Sequence, residues 1–428
     1  MPVVQSLSRT LVSGVAHHVG AEVRLQGWLY RVRSLARSTF LLLRDRTGVV
    51  QCVAATADLK GQELKVDDAV EVTGTVRADA RAPGGHELDL QSIVVLNPAA
   101  RVLPFTSSSD ISQVGADILI ENRPLALRHP EIGDIFRLHA ALVGAFRDSL
   151  SAQGFTEIFT SKIVASGTEG GSNLFEIKYF DRVAYLAQSP QLYKEQGVAG
   201  LERVFETGHV YRAEPHASSW HLTEYYSLDL ELGFIDGPED VMQVERVLLT
   251  DMFERINRTG ILERRSLPPL PSMLEVPMWE FEDAIARLGR ADLVDDLDRE
   301  AERQLCAMAE KECGVPAVFV VGFPPSGRPF YTHPRGPGRA QSFDLLFRGL
   351  EITTGGQRLH RRADLEAALL ARGYDVSAFE AHLRMFELGM PPHGGLAIGA
   401  ERLTAQILGL SNIREATLYP RDRYRTRP

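Results

Sequence analysis

Cysteine is scarce in this chain, and the scarcity is informative. Cys52, Cys306 and Cys313 are the only three in 428 residues, too few for a disulfide framework, and no Cys-x-x-Cys pair suggests zinc. No stretch approaches the roughly 18 uninterrupted apolar residues that a membrane span requires. The opening MPVVQSLSRTLVSGVAHHVG has no long apolar run of the secretory kind. A reduced, cytoplasmic setting without a membrane is therefore expected. Also missing are a GxxxxGK[ST] phosphate loop and a GxGxxG opening a helix after a strand. Internal repeats and low-complexity segments are absent too. A positive excess is lacking as well: the net charge is −9, which argues against a general polyanion binder.

The average hides an asymmetry. Between Arg24 and Arg46 six arginines stand against one acid, Asp45, a local balance of +5. From Arg414 to Pro428 five arginines face Glu415 and Asp422, a balance of +3. Two basic patches on an acidic protein suit local nucleic-acid binding, although charge alone is better met by solvated arginine faces.

Residues 1–103 read as all-β. VRLQGWLYRV, FLLLRDRTGVVQCVA, AVEVTGTVRA and HELDLQSIVVLN are short, rich in Val, Leu and aromatics, and punctuated by RDRTG and RAPGG. That pattern suggests a small closed barrel of the OB-fold kind. Residues 104–130 are mixed in composition and read as a hinge. From 131 to 428 the character changes. Leu138, Leu142, Val143, Phe146 and Leu150 recur at helical spacing and stop at Gly154. Strands and helices then follow without a regular βαβ rhythm, so an α+β domain with an antiparallel sheet flanked by helices is expected.

Three segments could carry chemistry. In Arg203–Phe234, period-2 alternation puts Tyr226, Leu228, Leu230, Leu232 and Phe234 on one face, and Tyr225, Ser227, Asp229 and Glu231 on the other. Such a strand is either a solvated outer strand or the floor of a polar cleft. In SFDLLFRGLEITTGGQRLH, a hairpin at Phe347-Arg348-Gly349 would set Asp344 nearly opposite Glu351. Facing carboxylates repel unless a cation lies between them, and magnesium on a phosphate substrate is the simplest one. In MPPHGGLAIGAERLTAQILGL, glycines 394, 395 and 399 precede a helix whose first turn holds Arg402, a weak anion-site signal. Among the remaining features, Cys306 and Cys313 read as core or surface thiols, and the acidic run from Asp292 to Glu302 as a solvated helix face.

Taken together, SPQLYK, RAE with HLTEY, SFDLLFRGLE, GGQR and GAERL, in that order, resemble the motifs of class II aminoacyl-tRNA synthetases. Nearly the whole chain is similar to the compact archaeal-type aspartyl-tRNA synthetases, including the bacterial nondiscriminating second copies. The resemblance implies an N-terminal OB-fold that binds the anticodon, a class II catalytic domain, and a homodimer. It implies a ligase that activates L-aspartate with ATP and Mg2+ and charges tRNA(Asp). Arg212 and Arg402 would be catalytic. With Glu214, His221, Leu222, Tyr225, Glu351 and Gly399 they would bind ATP, Tyr225 stacking on adenine. Asp344 and Glu351 would hold magnesium. Glu169, Ser189, Gln191, Lys194, Asp229 and Arg358 would bind aspartate, and two cations there, Lys194 and Arg358, suit a side-chain carboxylate better than an amide. In the barrel, Phe40 and Gln51 would meet the anticodon.

The chain departs from that pattern in places. Ser161 stands for the usual motif 1 proline, Trp220-His221 for Arg-His in the motif 2 loop, and Ser34 and Ala36 for Asp and Gly in the barrel. A paralogue that activates aspartate without charging tRNA is the alternative these changes allow. Tyr30 and the short RAPGG turn with Pro83 look like the relaxed bacterial copies. Charging of tRNA(Asn) as well, with an amidotransferase downstream, is therefore expected over a strictly discriminating enzyme.

Overall fold

The computed structural model describes residues 7–100, 102–167, 174–214 and 218–427. The chain divides into two compact units, Met1–Ile132 and Gly133–Pro428.

In the first unit the alternating segments become β1 (Glu22–Ser34), β2 (Ser38–Arg44), β3 (Val49–Ala55), β4 (Ala69–Ala78) and β5 (His86–Asn97). Their inward residues, among them Val23, Leu25, Leu41, Leu43, Val50, Val72 and Leu88, form one buried core. Cys52 belongs to that core, and burial pushes its thiol up to about 12, so it is unreactive. The strand circuit runs β1-β2-β3-β5-β4, with β1 pairing β4. The ladder that completes this circuit differs in kind from the others. Between β3 and β5 the ladder is parallel and holds three residue pairs, Gln51–Glu87, Cys52–Leu88 and Val53–Asp89. The region read as a hinge, 104–130, carries α1 (Ala116–Glu121) and α2 (Arg123–Ala126).

The second unit begins in the long helix α3 (Pro130–Ala152), followed by β6 (Thr156–Glu157), β7 (Ile163–Val164), β8 (Glu176–Tyr179), β9 (Arg182–Leu186) and α4 (Gln191–Leu201). Next come β10 (Arg203–Tyr211), β11 (Glu224–Gly233), α5 (Pro238–Asn257) and α6 (Ile261–Arg264). After β12 (Met278–Glu280) and α7 (Phe281–Leu288), the acidic run leads into the first turn of α8 (Arg299–Cys313). The chain then forms β13 (Ala317–Val321), β14 (Ser342–Phe347), β15 (Leu350–Gln357), α9 (Arg362–Ala371), α10 (Glu380–Phe386), β16 (His393–Gly399) and α11 (Ala400–Leu408).

Eight strands form one sheet in the order β12-β13-β14-β15-β16-β11-β10-β6, and β7-β9-β8 form a small second sheet. The expected antiparallel sheet is in fact mixed, because β12 runs parallel to β13 and β6 parallel to β10 at its two edges. The buried side of α5, including Val241, Leu248, Leu249, Met252 and Ile256, recurs at helical spacing, and α5 packs on β15 and β16. No helix among the described residues is long and apolar enough to cross a membrane.

Two local readings also change. Phe234 does not continue the apolar face of β11. Its backbone turns to φ 58° just past the strand end, and the ring is 73% exposed. The acidic run is not one solvated helix face either: Asp298 caps α8 by accepting from the Ala301 N–H, and Glu302 is buried.

Candidate active site

β10 and β11 are paired along their whole length, from Arg203–Leu232 to Tyr211–Glu224. Strict alternation on β11 sends Leu228, Leu230 and Leu232 into the core and the polar set to the other side of the sheet. That side is the floor of a cleft, the second of the two readings left open by the sequence. Two adjoining cavities occupy it, sharing Arg212, Glu351, Thr354 and Ala397.

The first cavity, about 740 Å³, brings together Arg212, Glu214, His221, Leu222, Tyr225, Glu351, Gly399 and Arg402, the complete expected nucleotide set. The Arg212 guanidinium lies 5.6 Å from the centre of the Tyr225 ring. Arg402 is positioned by its neighbour: both Glu401 oxygens accept from the Tyr226 N–H, at 3.1 and 3.0 Å, tying the first turn of α11 to β11. Trp220 also lines this cavity.

The second cavity, about 880 Å³, gathers Ser189, Gln191, Lys194, Asp229, Asp344, Glu351 and Arg358. Glu169 lies outside the described residues. At its buried end Lys194 Nζ sits 3.1 Å from Asp229 Oδ1 and 3.4 Å from Glu231 Oε2, and donates to the Leu396 carbonyl. Arg358 Nε donates to Glu231 Oε1 at 3.0 Å and Nη2 to the Gly395 carbonyl. Burial opposes the charge on Arg358, but Glu231 outweighs it and raises its pKa. A side chain at 395 would not fit, because its Cβ would lie 2.2 Å from Glu231 Oε2.

The sequence argument from two cations awaiting a carboxylate is thereby corrected, since both already have carboxylate partners. Glu231 is the residue it missed. Behind this cluster Gln191 donates to Glu195, which accepts from or pairs with His382 at 3.1 Å. Burial works against the Glu195 charge, yet the His382 contact holds its carboxyl down to about 2.

The metal expectation is changed in geometry. Arg348 and Gly349, with φ 50° and 84°, make the hairpin turn. Asp344, however, pairs with Thr354 and Glu351 with Leu346, across an irregularity at Leu345/Leu346. The two carboxylates are therefore offset along the hairpin, although they line one cavity. Arginines answer part of their repulsion. Arg328 makes a bidentate pair with Asp344, both bonds 2.8 Å, and Arg402 stands 3.9 Å from Glu351. Burial, opposed by Arg328 and aided by Glu351, still lifts Asp344 to about 6. Two hard oxygen donors with uncompensated repulsion fit magnesium, which takes one or two carboxylates and fills its remaining positions with water and substrate phosphate. No larger cluster of His, Cys, Asp or Glu side chains is placed to hold a metal among the described residues.

In the first unit, Phe40, Gln51 and Pro83 line a third cavity with Arg31, Arg33, Arg77, Arg81 and Glu87. Glu87 holds Gln51 and Arg77, each at 2.8 Å. Tyr30 is not among the lining residues; it occupies an irregularity of β1 between Leu29 and Arg31. The basic arm is also less of a patch than its composition suggests, since Arg24 pairs with Glu71 at 2.7 Å and Arg44 is buried.

Comparison with known proteins agrees with this geometry. Residues 115–423 match the family described as tRNA synthetases class II (D, K and N), and residues 23–96 match the OB-fold nucleic acid binding domain. An aspartate–tRNA(Asp/Asn) ligase of Thermus thermophilus is 46% identical over 98% of this chain and 100% of its own. An aspartate–tRNA(Asp) ligase of Pyrobaculum aerophilum is 38% identical over 96% of each chain. The solved asparaginyl-tRNA synthetase of Pyrococcus horikoshii, complexed with asparaginyl-adenylate, superposes with a TM-score of 0.89 at 32% identity, covering 99% of this chain and 100% of that one. With its catalytic unit and its N-terminal sheet both matched, the chain belongs to the class II tRNA synthetases of the aspartate, lysine and asparagine group.

Proposed function

We propose that this tRNA ligase selects L-aspartate in the cytoplasm and, as a nondiscriminating enzyme of the archaeal type, charges both tRNA(Asp) and tRNA(Asn). The carrying observation is the buried set Lys194, Asp229, Glu231 and Arg358, whose two positive and two negative charges balance. An aspartate entering here exchanges partners without unbalancing it. Its ammonium group takes Asp229, its side-chain carboxylate takes the released Lys194 together with Arg358, and its α-carboxylate faces Arg212, which lines both cavities. Asparagine would draw Asp229 to its ammonium and return only an amide to Lys194. Leaving a buried cation short of a carboxylate costs several kcal/mol, on the order of 3–5.

From this pose the aspartate α-carboxylate attacks the α-phosphorus of ATP in line, forming aspartyl-adenylate and releasing pyrophosphate. Arg212 stabilises charge at the α-phosphate, His221 and Arg402 bind the terminal phosphates, and Tyr225 holds the adenine, so catalysis is positioning and electrostatics. Asp344 and Glu351 would hold the Mg2+, which supplies further charge neutralisation at the phosphates. The 3′-terminal hydroxyl of tRNA then attacks the mixed anhydride. No protein nucleophile is required.

Relaxed tRNA choice is supported by the short Pro83 turn beside the Phe40 cavity and by the likeness to the Thermus enzyme named for both tRNAs. Aspartate placed on tRNA(Asn) needs an amidotransferase downstream. A homodimer is supported by Phe159, Ile163, Phe180 and Val183, exposed around the small sheet. There Ser161 replaces the usual proline and closes the loop through its own hydroxyl, which bonds the Ile163 backbone. ATP–pyrophosphate exchange tests the amino-acid choice. Exchange is expected with aspartate and not with asparagine, and exchange supported equally by both would refute the charge-balance argument.

A further inference from the structure

Trp220 removes a cation from the mouth of the first cavity, where the resemblance leads one to expect arginine. The structure places another one beside it. The guanidinium of Arg299, at the start of α8, lies 4.5 Å from the centre of the Trp220 indole. Trp220 in turn lines the cavity with His221 and Arg402. Sequence distance concealed the pair, because the two residues are 79 positions apart and belong to segments that meet only in the folded unit.

We propose that Arg299 binds the terminal phosphates of ATP and the pyrophosphate product, held at the cavity mouth by the Trp220 indole. The inference rests on reading the first cavity as the ATP site.

Arg299 is an exposed cation. Its neighbours on α8 are committed elsewhere: Asp298 accepts from the Ala301 N–H and from Arg290, and Glu300 accepts from Arg303 and Gln304. Among the described residues Arg299 makes no ion pair. Glu302, the acid on the next turn, accepts instead from the Glu351 N–H at 3.4 Å. Partial burial disfavours the Arg299 charge, Glu302 favours it, and Arg402 is close enough to disfavour it further. Two mutually repelling arginines are stabilised by an anion arriving at both. An arginine stacked on an indole keeps its N–H edges free to donate, and its planar fork matches phosphate oxygens. The indole therefore orients the group without consuming it, which a carboxylate partner would do.

The test is aspartate-dependent ATP–pyrophosphate exchange by the full chain, without tRNA. Arg299→Gln is expected to raise KM for ATP and for pyrophosphate about 10-fold, the loss of one charge-assisted bond, with KM for aspartate unchanged and kcat within about twofold. Arg299→Lys should retain most of the affinity. Returning the cation from the loop, in the double variant R299Q/W220R, should restore both phosphate-linked constants. A merely structural role would lower the melting midpoint and would not separate these constants. If R299Q leaves both within about twofold of the native enzyme, the proposal is overturned. If R299Q instead weakens only tRNA, it is also overturned, and the residue belongs to acceptor-end binding. A native enzyme without aspartate-dependent exchange would refute the ATP-site reading itself, a different result from either of these.

Discussion

Replacing Glu231 with glutamine perturbs the aspartate pocket at its most connected point. The carboxylate is fully buried, accepts from Arg358 Nε at 3.0 Å and stands 3.4 Å from Lys194. Without its charge, Lys194 retains Asp229 while Arg358 loses its carboxylate partner, and the cluster becomes +1. Removing one partner of a buried ion pair costs about 3–5 kcal/mol. The glutamine carbonyl still accepts one hydrogen bond, so the lower end applies, about 3 kcal/mol, or roughly 5 °C in unfolding midpoint for a unit of this size. The ligand response should run the other way. Aspartate carries one net negative charge and supplies what the variant has lost, so saturating aspartate with ATP should raise the midpoint of E231Q more than that of the native protein. Thermal unfolding with and without these substrates reads both effects. An unchanged midpoint, or an equal substrate-induced rise in the two proteins, would refute the charge balance.

Glu245, on α5 beneath the sheet, gives a prediction in pH. Burial pushes its carboxyl from 4.5 up to about 8, against a smaller opposing pull from the Thr353 hydroxyl. The folded chain therefore keeps a proton that the unfolded chain releases. Its contribution to stability is complete below about pH 4.5 and is lost as pH rises through about 8. Glu245→Gln should gain stability over the native protein by up to about 1.4 kcal/mol per pH unit between those limits, and urea unfolding at pH 5, 6.5 and 8 measures it. Phe40→Ala should raise KM for tRNA by about 5- to 100-fold, the value of one base stack, while tRNA-independent exchange stays unchanged. Gly355→Ala would place a Cβ 2.3 Å from Phe343 Cζ, and should cost about 1–3 kcal/mol in denaturation by overpacking the strand that carries Glu351.

The sequence was most legible where a function is carried by one continuous run. The nucleotide residues sit between β10 and β11, at the start of β11, at the entrance to α11 and on the hairpin, and the expected set converged on one cavity. It was least legible where partners come from distant segments. Arg328 reaches Asp344 from a loop, His382 reaches Glu195 across 187 positions, and Arg299 reaches Trp220 from another helix. No periodicity reports such pairs, because tertiary packing alone makes them. Glu231 is a different case. Alternation placed it correctly on the polar face of β11, but only the fold shows it between two buried cations. Phe234 shows the limit of alternation itself, which fails once the backbone leaves the strand region. The mixed sheet was illegible for a similar reason: its parallel pairs are edge contacts of two and three residues, too short to leave a pattern.

The central claim is one amino acid on two tRNAs, and aminoacylation with labelled aspartate and labelled asparagine tests it most directly. Purified tRNA(Asp) and tRNA(Asn) should both accept aspartate and neither should accept asparagine. Aspartate on tRNA(Asp) alone would contradict the relaxed specificity, and asparagine on either tRNA would contradict the pocket chemistry from which the claim was built.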